Sequence, residues 1–477
     1  MSRINTNVSS MVAQNALGRS NGSLQTALNR LSTGLRINSG KDDPAGLIGS
    51  ENLRRDITAT RRAIGNSERA SHMIATADSA LGQVSNLLND IRGLIVEAAN
   101  SGVLSTEQID ANQLQVDSSL EAIDRIAKTT TFQGRSLLDG SLDFQVTAGG
   151  ANGVGLDTVR DLRINVANLG VAGSLDVQVN IVNAAEQAEL TIAANAFTNN
   201  ALNDDLVIKL SGRDGAEVFT FQDETEIDDI VEAINLVKDA TGVEATVTNG
   251  AIELNSIAYG SRSFVDLEVV SEGGSGTFKA NVSGRRDTGL DVNATVNGIK
   301  ANGDGNRLSI NTSTLSLGIT VDEGSTTAVD FTIEGGGAII QLGPDVVSNQ
   351  QARLGIQSLN TGSLGGESGR LYELRVGNDK DLTTDPTNAA KIVDEVITKV
   401  AELRGRLGAF QKTTIDSNIV SLSDLLNNLT EAESSIRDAD FAQESAMLTR
   451  AQVLVQSGTS VLSIANQNPQ NVLSLLR

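Results

Sequence analysis

The stretch ADSALGQVSNLLNDIRGLIVEAAN, residues 77–100, sets the architecture of this chain. Its apolar residues recur at alternating steps of four and three, at Ala77, Leu81, Val84, Leu88, Ile91 and Ile95. This spacing places one apolar stripe along a helix, and such a stripe needs a partner stripe to cover it. We take the helix to run from about residue 45 to residue 100, which is roughly 80 Å at ~1.5 Å per residue. The pattern therefore predicts a helical rod rather than a compact domain.

Further helices are predicted on both sides of the middle of the chain. After a break near Gly102 the stripe resumes at Ile109, Val116, Leu120 and Ile123. A complementary stripe in the C-terminal part comprises Ile392, Val396, Leu403, Leu407, Phe410, Ile415, Ile419, Leu422, Leu426, Leu429 and Ile436. Because apolar stripes bury one another, we expect the N- and C-terminal helices to form a bundle.

Both ends of the chain carry the same kind of stripe. At the N-terminal end it comprises Ile4, Val8, Met11, Leu24, Leu28, Leu31 and Leu35. At the C-terminal end it comprises Ala451, Leu454, Val461, Ala465, Val472 and Leu475, with Leu476 adjacent. Since these stripes need helical partners, we expect the ends to pack together and to associate with other copies of the chain. We assign their larger apolar residues to a polymerisation interface.

The C-terminal stripe is built largely from small residues, among them Ala451, Gly458 and Ala465. Ordering each residue costs ~1–2 kcal/mol, and a stripe with few large side chains cannot offset that cost inside one chain. We therefore expect residues 1–45 and 437–477 to be disordered in the monomer and to become helical on assembly.

The middle of the chain has a different periodicity and composition. Residues 143–369 hold 30 of the 46 glycines, and they contain runs in which apolar and polar residues alternate. These runs lie at residues 175–181, 206–210, 243–247, 265–269, 317–321 and 329–333. Runs in which apolar and polar residues alternate, separated from one another by glycines, predict half-buried antiparallel strands. One helix, at about residues 227–237, interrupts them before Gly242.

The predicted fold class is α+β, with a helical rod of N- and C-terminal segments and one or two inserted β-rich domains. We assign residues 1–45 and 437–477 to a terminal coiled coil. Residues 46–175 and 370–436 are assigned to a helical rod domain that includes a β-hairpin region. Residues 176–369 are assigned to the inserted β-rich region, which we expect to be dispensable for assembly.

The net charge of −22 is unevenly distributed along the 477 residues. Residues 1–45 carry +3 and residues 437–477 carry no net charge, which leaves −25 for the region between them. This balance disfavours nucleic-acid binding, because phosphate contacts need clustered Lys and Arg. Nearly neutral apolar ends can associate without charge repulsion, whereas an acidic exterior keeps the chain soluble.

The chain has no cysteine, so its stability must come from packing rather than from disulfides or thiolate metal sites. The first 25 residues show neither a basic segment followed by an apolar one nor a cleavage motif. No run approaches the ~20 apolar residues of a membrane span. We expect export, if it occurs, to proceed without a conventional signal peptide and without membrane insertion.

No residue pattern indicates an enzyme, a cofactor or a metal site. His72 is the single histidine and reads as an ordinary helix residue rather than a catalytic base. In SGKDDPAG, residues 39–46, Lys41 is followed by Asp42 instead of the Ser or Thr of a phosphate loop. The acidic cluster of Asp223, Glu224, Glu226, Asp228 and Asp229 lacks the order of a calcium loop and suits a solvated helix N-terminus.

Several segments are similar to one protein family. The segments MSRINTNVSSMVAQNAL (residues 1–17), LSTGLRINSGKDDPAGL (31–47) and SGTSVLSIANQNPQNVLSLLR (457–477) resemble the terminal segments of bacterial flagellin. The segments at 122–140 and 433–454 resemble the same family. Within the middle, TEIDDIVEAINLVKDATGVEATV (225–247) is similar to a motif of flagellins and hook-associated proteins.

The resemblance implies a structural subunit of the extracellular flagellar filament, with an inner coiled coil and an outward-projecting middle. It also implies export by the flagellar type III apparatus, a chaperone on the C-terminal segment, and hook-associated and cap proteins at the filament ends. A hook–filament junction protein, which resembles flagellin at the same termini, is the alternative. The near-complete match of NPQNVLSLLR (468–477) favours the filament subunit.

The family also has an innate immune receptor site on its first long helix. The segment at 87–100 keeps Arg92 and Leu94 of that pattern, and we include both in the predicted interface. It has Asp90 in place of Arg and Gly93 in place of Glu, and Gln115 replaces a Glu on the next helix. Each lost charge-assisted hydrogen bond costs ~1.5–3 kcal/mol, so we expect weak receptor binding.

Overall fold

The computed structural model describes residues 6–100, 102–149, 158–170, 172–312, 314–366 and 368–475, with side chains described up to residue 467. The chain divides into two compact units. The terminal unit comprises Met1–Ser71, Gln341–Gln350 and Phe410–Arg477, and the central unit comprises His72–Ile340 and Gln351–Ala409.

Long helices lie on both sides of a strand-rich middle, as the sequence predicts. The helices are α1 (Val8–Thr33), α2 (Pro44–Ala98), α3 (Thr106–Thr129), α4 (Ile227–Leu236), α5 (Lys238–Thr241), α6 (Pro386–Ala409), α7 (Ser417–Arg437) and α8 (Phe441–Leu475). A π-helical segment, Phe410–Asp416, lies between α6 and α7. The α+β fold class is therefore confirmed.

Helix α2 is continuous over its 55 residues, which confirms the long helix predicted from about residue 45. Pro44 suits the first position of the helix, because a backbone N–H there would have no acceptor within the helix and proline lacks that N–H. The Asp43 carboxylate accepts a hydrogen bond from the Gly46 N–H at 2.9 Å and so caps the first turn. The predicted stripe is fully buried, and Leu81, Val84 and Leu88 are 0% exposed.

Ion pairs join α2 to α6 in the central unit. Arg92 Nε lies 2.7 Å from Asp394 Oδ1, and Arg404 Nε lies 2.9 Å from Asp78 Oδ1. The predicted stripe residues Ile392 and Val396 of α6 are buried. Within the central unit, this arrangement agrees with the predicted packing of N- and C-terminal helices.

The strands form several antiparallel sheets. They are β1 (Thr131–Phe132), β2 (Arg135–Ser136), β3 (Phe144–Ala148), β4 (Val159–Ala167), β5 (Leu175–Asn183), β6 (Glu189–Ile192), β7 (Leu206–Gly212), β8 (Ala216–Phe221), β9 (Val243–Thr248), β10 (Ala251–Ser256), β11 (Phe264–Glu272), β12 (Arg286–Thr288), β13 (Asn293–Val296), β14 (Ile299–Lys300), β15 (Asn302–Asp304), β16 (Arg307–Asn311), β17 (Leu315–Val321), β18 (Val329–Gly336), β19 (Ala338–Gln341) and β20 (Gln351–Leu354). All six predicted alternating runs are strands, namely β5, β7, β9, β11, β17 and β18.

Two separate apolar cores lie within the strand-rich region. The first β core joins the sheet β14-β13-β5-β18-β3 with the sheet β15-β16-β17-β4, and its buried residues run from Phe144 to Ile333. The second β core joins β12-β11-β7-β8 and β6-β10-β9 with α4, and its buried residues run from Ala188 to Phe278. The predicted helix of the middle region is α4, followed by α5 and by Gly242 at a φ of 74°.

The first β core includes residues on both sides of the predicted domain limit at 175/176. Phe144 and Ile164 are buried in it together with Val177 and Phe331. Strand β3 pairs with β18, and strand β4 pairs with β17, so segments that precede residue 176 complete both sheets. The limits 176–369 remain a prediction, and this packing favours an earlier start for the strand-rich region, near Phe144.

Candidate assembly surface

Helices α1 and α8 pack against each other along a line of small residues. Ala13 and Ala27 on α1 and Ala451 and Ala465 on α8 are all buried. A Cβ atom at Gly458 would lie 3.2 Å from Leu17 Cδ1, so the two backbones approach closely there. The small residues that the sequence singles out therefore face the partner helix of the same chain.

Polar contacts set the antiparallel register of α1 and α8. Near one end of the pair, Ser10 Oγ donates to Asn466 Oδ1 at 2.8 Å. Near the other end, Arg30 Nη1 lies 2.9 Å from Glu444 Oε1, and the Glu444 side chain is only 7% exposed. A buried ion pair specifies a register because a shift of either helix would leave a buried charge without its partner.

The connectors next to these helices also pair. The Arg36 N–H donates to the Arg437 carbonyl at 2.7 Å, and the Ala439 N–H donates to the Gly34 carbonyl at 2.9 Å. The Arg36 guanidinium donates to the Ile436 carbonyl through Nη2 at 2.6 Å. These contacts hold the entry to α2 against the junction of α7 and α8.

The structure differs from the expected disorder of the ends. Both α1 and α8 are helical and paired within one chain over the described residues. Large apolar residues alone do not offset the cost of ordering these ends, but the observed pairing also uses close backbone approach and the Arg30–Glu444 ion pair. The prediction that the ends are disordered in the monomer therefore has no support here.

Large apolar side chains on α1 and α8 remain exposed. They include Val8, Met11, Val12 and Leu28 on α1, and Val453, Leu454, Val461 and Ile464 on α8, each 48–61% exposed. At 100° per residue, the four residues of α8 lie on one side of that helix, beside the buried line of Ala451 and Ala465. We call these four residues the α8 apolar face.

Several predicted interface residues lie elsewhere or outside the described part of the chain. Leu24, Leu31 and Leu35 are half-buried within the terminal unit. Arg92 and Leu94 lie on α2 in the central unit, where Arg92 pairs with Asp394. Ile4 and Leu476 lie outside the described residues, and Val472 and Leu475 belong to α8 with side chains that are not described.

Sequence reasoning missed Val12, Val453 and Ile464 as exposed apolar residues. Each is a direct neighbour in sequence of a stripe residue, so a search for apolar residues at alternating steps of three and four does not include it. A helical wheel of α8 would have found Val453 and Ile464, because both lie on the same side as Leu454 and Val461.

The loop between α1 and α2 uses its carboxylates for its own structure. Asp42 Oδ2 accepts hydrogen bonds from the Ser39 hydroxyl and the Ser39 N–H, both at 2.9 Å. The hydrogen bond from the Ser39 hydroxyl is the largest cause that lowers the pKa of Asp42 below its usual value. This geometry agrees with the prediction that residues 39–46 are not a phosphate loop.

His72 and the acidic cluster at 223–229, the other residues considered for catalysis or metal binding, lie on or next to helices. His72 is exposed on α2. Asp228 and Asp229 lie in the first turn of α4, which confirms the predicted helix N-terminus. Within the described ranges, no group of three or more His, Cys, Asp or Glu residues could hold a metal ion. Among the helices of that same part, none is long and apolar enough to cross a membrane.

Known protein families match three parts of the chain. The bacterial flagellin N-terminal helical region matches residues 4–143, and the C-terminal helical region matches residues 390–476. The flagellin hook IN motif matches residues 207–258, which include α4 and strands of the second β core. The segment at 225–247, singled out from sequence, lies within this last match.

Whole proteins match over nearly the full length. A flagellin of Salmonella typhimurium is 30% identical over 521 residues, and the match covers 99% of each chain. The B-type flagellin of Pseudomonas aeruginosa is 30% identical over 534 residues, with the same coverage. Among solved structures, FliC from Burkholderia pseudomallei is 16% identical with a TM-score of 0.26, and the match covers 72% of this chain and 99% of that one. With both terminal helical regions present and relatives matched from end to end, the chain belongs to the bacterial flagellin family.

Proposed function

We propose that this flagellin builds a filament by burying the exposed apolar side chains of α1 and α8 against neighbouring copies. The observation that carries the proposal is the division of these helices into a small-residue line, covered within the chain, and large apolar residues that stay about half exposed. Full burial of one such side chain stabilises by ~1.5–3 kcal/mol, so much of that free energy is still available for assembly.

The filament-subunit function agrees with the end-to-end match to proteins named flagellin, and the hook–filament junction alternative is not favoured. We propose a purely structural role for the chain, without catalysis. We also propose that it works outside the cell as part of the swimming organelle, after export through the flagellar type III apparatus. Family membership supports both proposals.

Before export, a flagellar chaperone would cover the C-terminal segment. The α8 apolar face supports this part of the proposal, because exposed apolar residues that bind other copies have to be covered to prevent assembly before export. Hook-associated and cap proteins at the filament ends would bind the same kind of surface.

We expect assembly to proceed by head-to-tail contacts and to give open filaments. Different helices, α1 and α8, carry the exposed apolar residues, so a surface of one copy can meet a different surface of the next. Such heterologous contacts add subunits without closing unless the rotation forms a ring. Electron microscopy of the concentrated protein in filament-forming salt should show long filaments. Discrete dimers or small rings under every condition would contradict the proposal.

Weak activation of the innate immune receptor is a second expected result. Asp90, Gly93 and Gln115 are all exposed, and a Cβ atom at Gly93 would meet nothing within 4 Å. The variant Asp90→Arg, Gly93→Glu, Gln115→Glu should therefore fold normally and restore two charge-assisted acceptors and one donor. A receptor reporter assay should show stronger signalling by this variant than by the unmodified protein.

A control variant makes the same charge changes at other exposed positions of α2 and α3. It carries Asp110→Arg, Gln83→Glu and Ser118→Glu, and it should leave signalling unchanged. Equal and strong activation by the unmodified protein and the first variant would refute the expectation.

A further inference from the structure

A polar cavity of about 440 Å³ lies within the central unit, between strands β4, β16 and β17 and helix α6. Four cationic side chains line it, namely Arg163, Arg307, Lys399 and Arg406. Three carboxylates, Asp143, Asp161 and Glu402, are also part of its lining. The cavity therefore carries one more positive than negative charge, although the chain as a whole is strongly acidic.

Arg406 is the least neutralised of these cations. Its Nη2 donates to the Gly355 carbonyl at 3.0 Å, and its Nη1 donates to the Asn165 side-chain oxygen. Its Nε is buried and has no hydrogen-bond partner. Among the residues that the structure describes, no carboxylate forms an ion pair with this guanidinium, and both observed acceptors are neutral oxygens. Buried charges in proteins are normally paired, so this arrangement is incomplete.

The environment of Arg406 is unfavourable for its charge. Its pKa is lowered to about 10, chiefly by burial and in addition by the positive charge of the nearby Arg163. Asp143 and Glu402 act in the opposite direction but do not cancel these effects. Burial also raises the pKa of Asp143, so this carboxyl group ionises less readily than an exposed one. An additional negative group in the cavity would relieve this imbalance.

The other cations share their carboxylates. Glu402 Oε2 lies 2.5 Å from Arg163 Nη1 and 3.5 Å from Arg307 Nη2. Asp161 Oδ2 lies 2.8 Å from Lys399 Nζ and 3.7 Å from Arg163 Nη2. Because two carboxylates serve three cations, each cation keeps N–H donors that can bind a further acceptor. Arg307 is also 43% exposed, so a ligand can reach it from solvent.

We propose that this cavity binds a small anion with several oxygen atoms, of the phosphate or the di- and tricarboxylate class. Arg406 and Arg307 would supply charge-assisted hydrogen bonds, and Asn311 and Ser316 line the same space with neutral polar groups. Its volume falls in the range of small-ligand sites. No aromatic side chain is among its described lining residues, which disfavours a nucleobase or a sugar that stacks on a ring. The bound anion would connect β4 and β16 to α6.

Isothermal titration calorimetry on the full-length monomer tests the proposal. Sodium phosphate and sodium citrate are titrated separately at constant ionic strength, which is adjusted with sodium chloride. We expect saturable one-to-one binding of at least one of the two anions. Phosphate alone would identify an inorganic oxyanion as the ligand class, citrate alone would identify a carboxylate, and either result supports the site.

Variants separate a built site from general charge attraction. Arg307→Gln, at the exposed side of the cavity, and Arg406→Met, at its buried side, should each weaken binding about tenfold or more. Arg285→Gln removes one positive charge from a side chain that is 68% exposed, lies outside the cavity and pairs with Asp266 and Glu268, and it should leave the affinity unchanged. Circular dichroism checks that each variant is folded, and Arg307→Gln decides the matter if Arg406→Met does not fold.

Two results would overturn the proposal. One is the absence of saturable heat with both phosphate and citrate. The other is equal weakening by Arg285→Gln and Arg307→Gln, since that would show attraction to the overall charge instead of binding in the cavity.

Discussion

Replacing Leu454 or Val461 with Asp is expected to abolish filament formation and to leave the melting temperature of the monomer unchanged. Both side chains belong to the α8 apolar face and are 50% and 54% exposed, so an aspartate at either position stays solvated in the monomer. In a filament the same carboxylate would be buried without a partner, which costs several kcal/mol. Since every 1.4 kcal/mol is a factor of ten, the critical concentration should rise by about a hundredfold or more.

Sedimentation of polymer over a range of protein concentrations measures that critical concentration, and electron microscopy identifies the product. Ser463→Asp is the matched control, because Ser463 is exposed on the polar side of the same helix and receives the same charge. It should assemble like the unmodified protein. Normal filaments from Leu454→Asp and Val461→Asp would show that the α8 apolar face is not an assembly surface.

Two excisions from the middle of the chain are expected to give opposite results. The chain enters and leaves the second β core at one point, where Glu186 and Leu290 exchange backbone hydrogen bonds of 2.9 and 3.1 Å. Replacing residues 187–289 with an Asn-Gly turn should therefore close this point as a hairpin. The first β core keeps all its strands, and of the excised residues Tyr259 is the one that packs against that core. This variant should fold and form filaments.

Excision of residues 176–369, the region that the sequence predicts to be dispensable, should instead give an insoluble protein. It removes β5, β17 and β18 and leaves β3 and β4 without partners. Phe144 and Ile164, now 7% and 3% exposed, would then face water. Unpaired strand edges with exposed apolar residues are aggregation sites.

Soluble yield, helix content by circular dichroism and electron microscopy compare the two excisions directly. Equal filament formation by both variants would show that the first β core does not depend on the strands after residue 176. A folded 187–289 variant that does not polymerise would show that the second β core makes essential contacts between subunits.

The long helices and six of the strands could be predicted because their signals are local. The stripe from Ala77 to Ile95 repeats at three- and four-residue steps, and these steps alone imply a helix with one buried side. The run at 175–181 alternates at period two, and β5 shows the expected burial of Val177, Val179 and Ile181. The resemblance to flagellin is local as well, because it is carried by continuous segments such as residues 31–47 and 457–477.

Strand β4 escaped prediction for a physical reason. Its sequence, VRDLRINVA, places Arg160, Asp161 and Arg163 among its apolar residues, so the alternation is weak. Asp161 and Arg163 line the polar cavity, where their partners are Lys399 and Glu402 on a helix more than two hundred positions later. Nothing in consecutive residues indicates such a partner.

The same distinction applies to the candidate assembly surface. The apolar stripes of the two ends, with their need for helical partners, follow from residue spacing alone. Spacing does not show which residues of each stripe are buried against another helix of the same chain. That depends on the register of α1 against α8, in which Arg30 meets Glu444 and Ala451 lies on the covered side. Helical periodicity is a property of neighbours along the chain, whereas register and the polar cavity arise from pairs far apart in sequence. The sequence therefore specified the elements and their apolar sides, and folding determined which of those sides remain open to another copy.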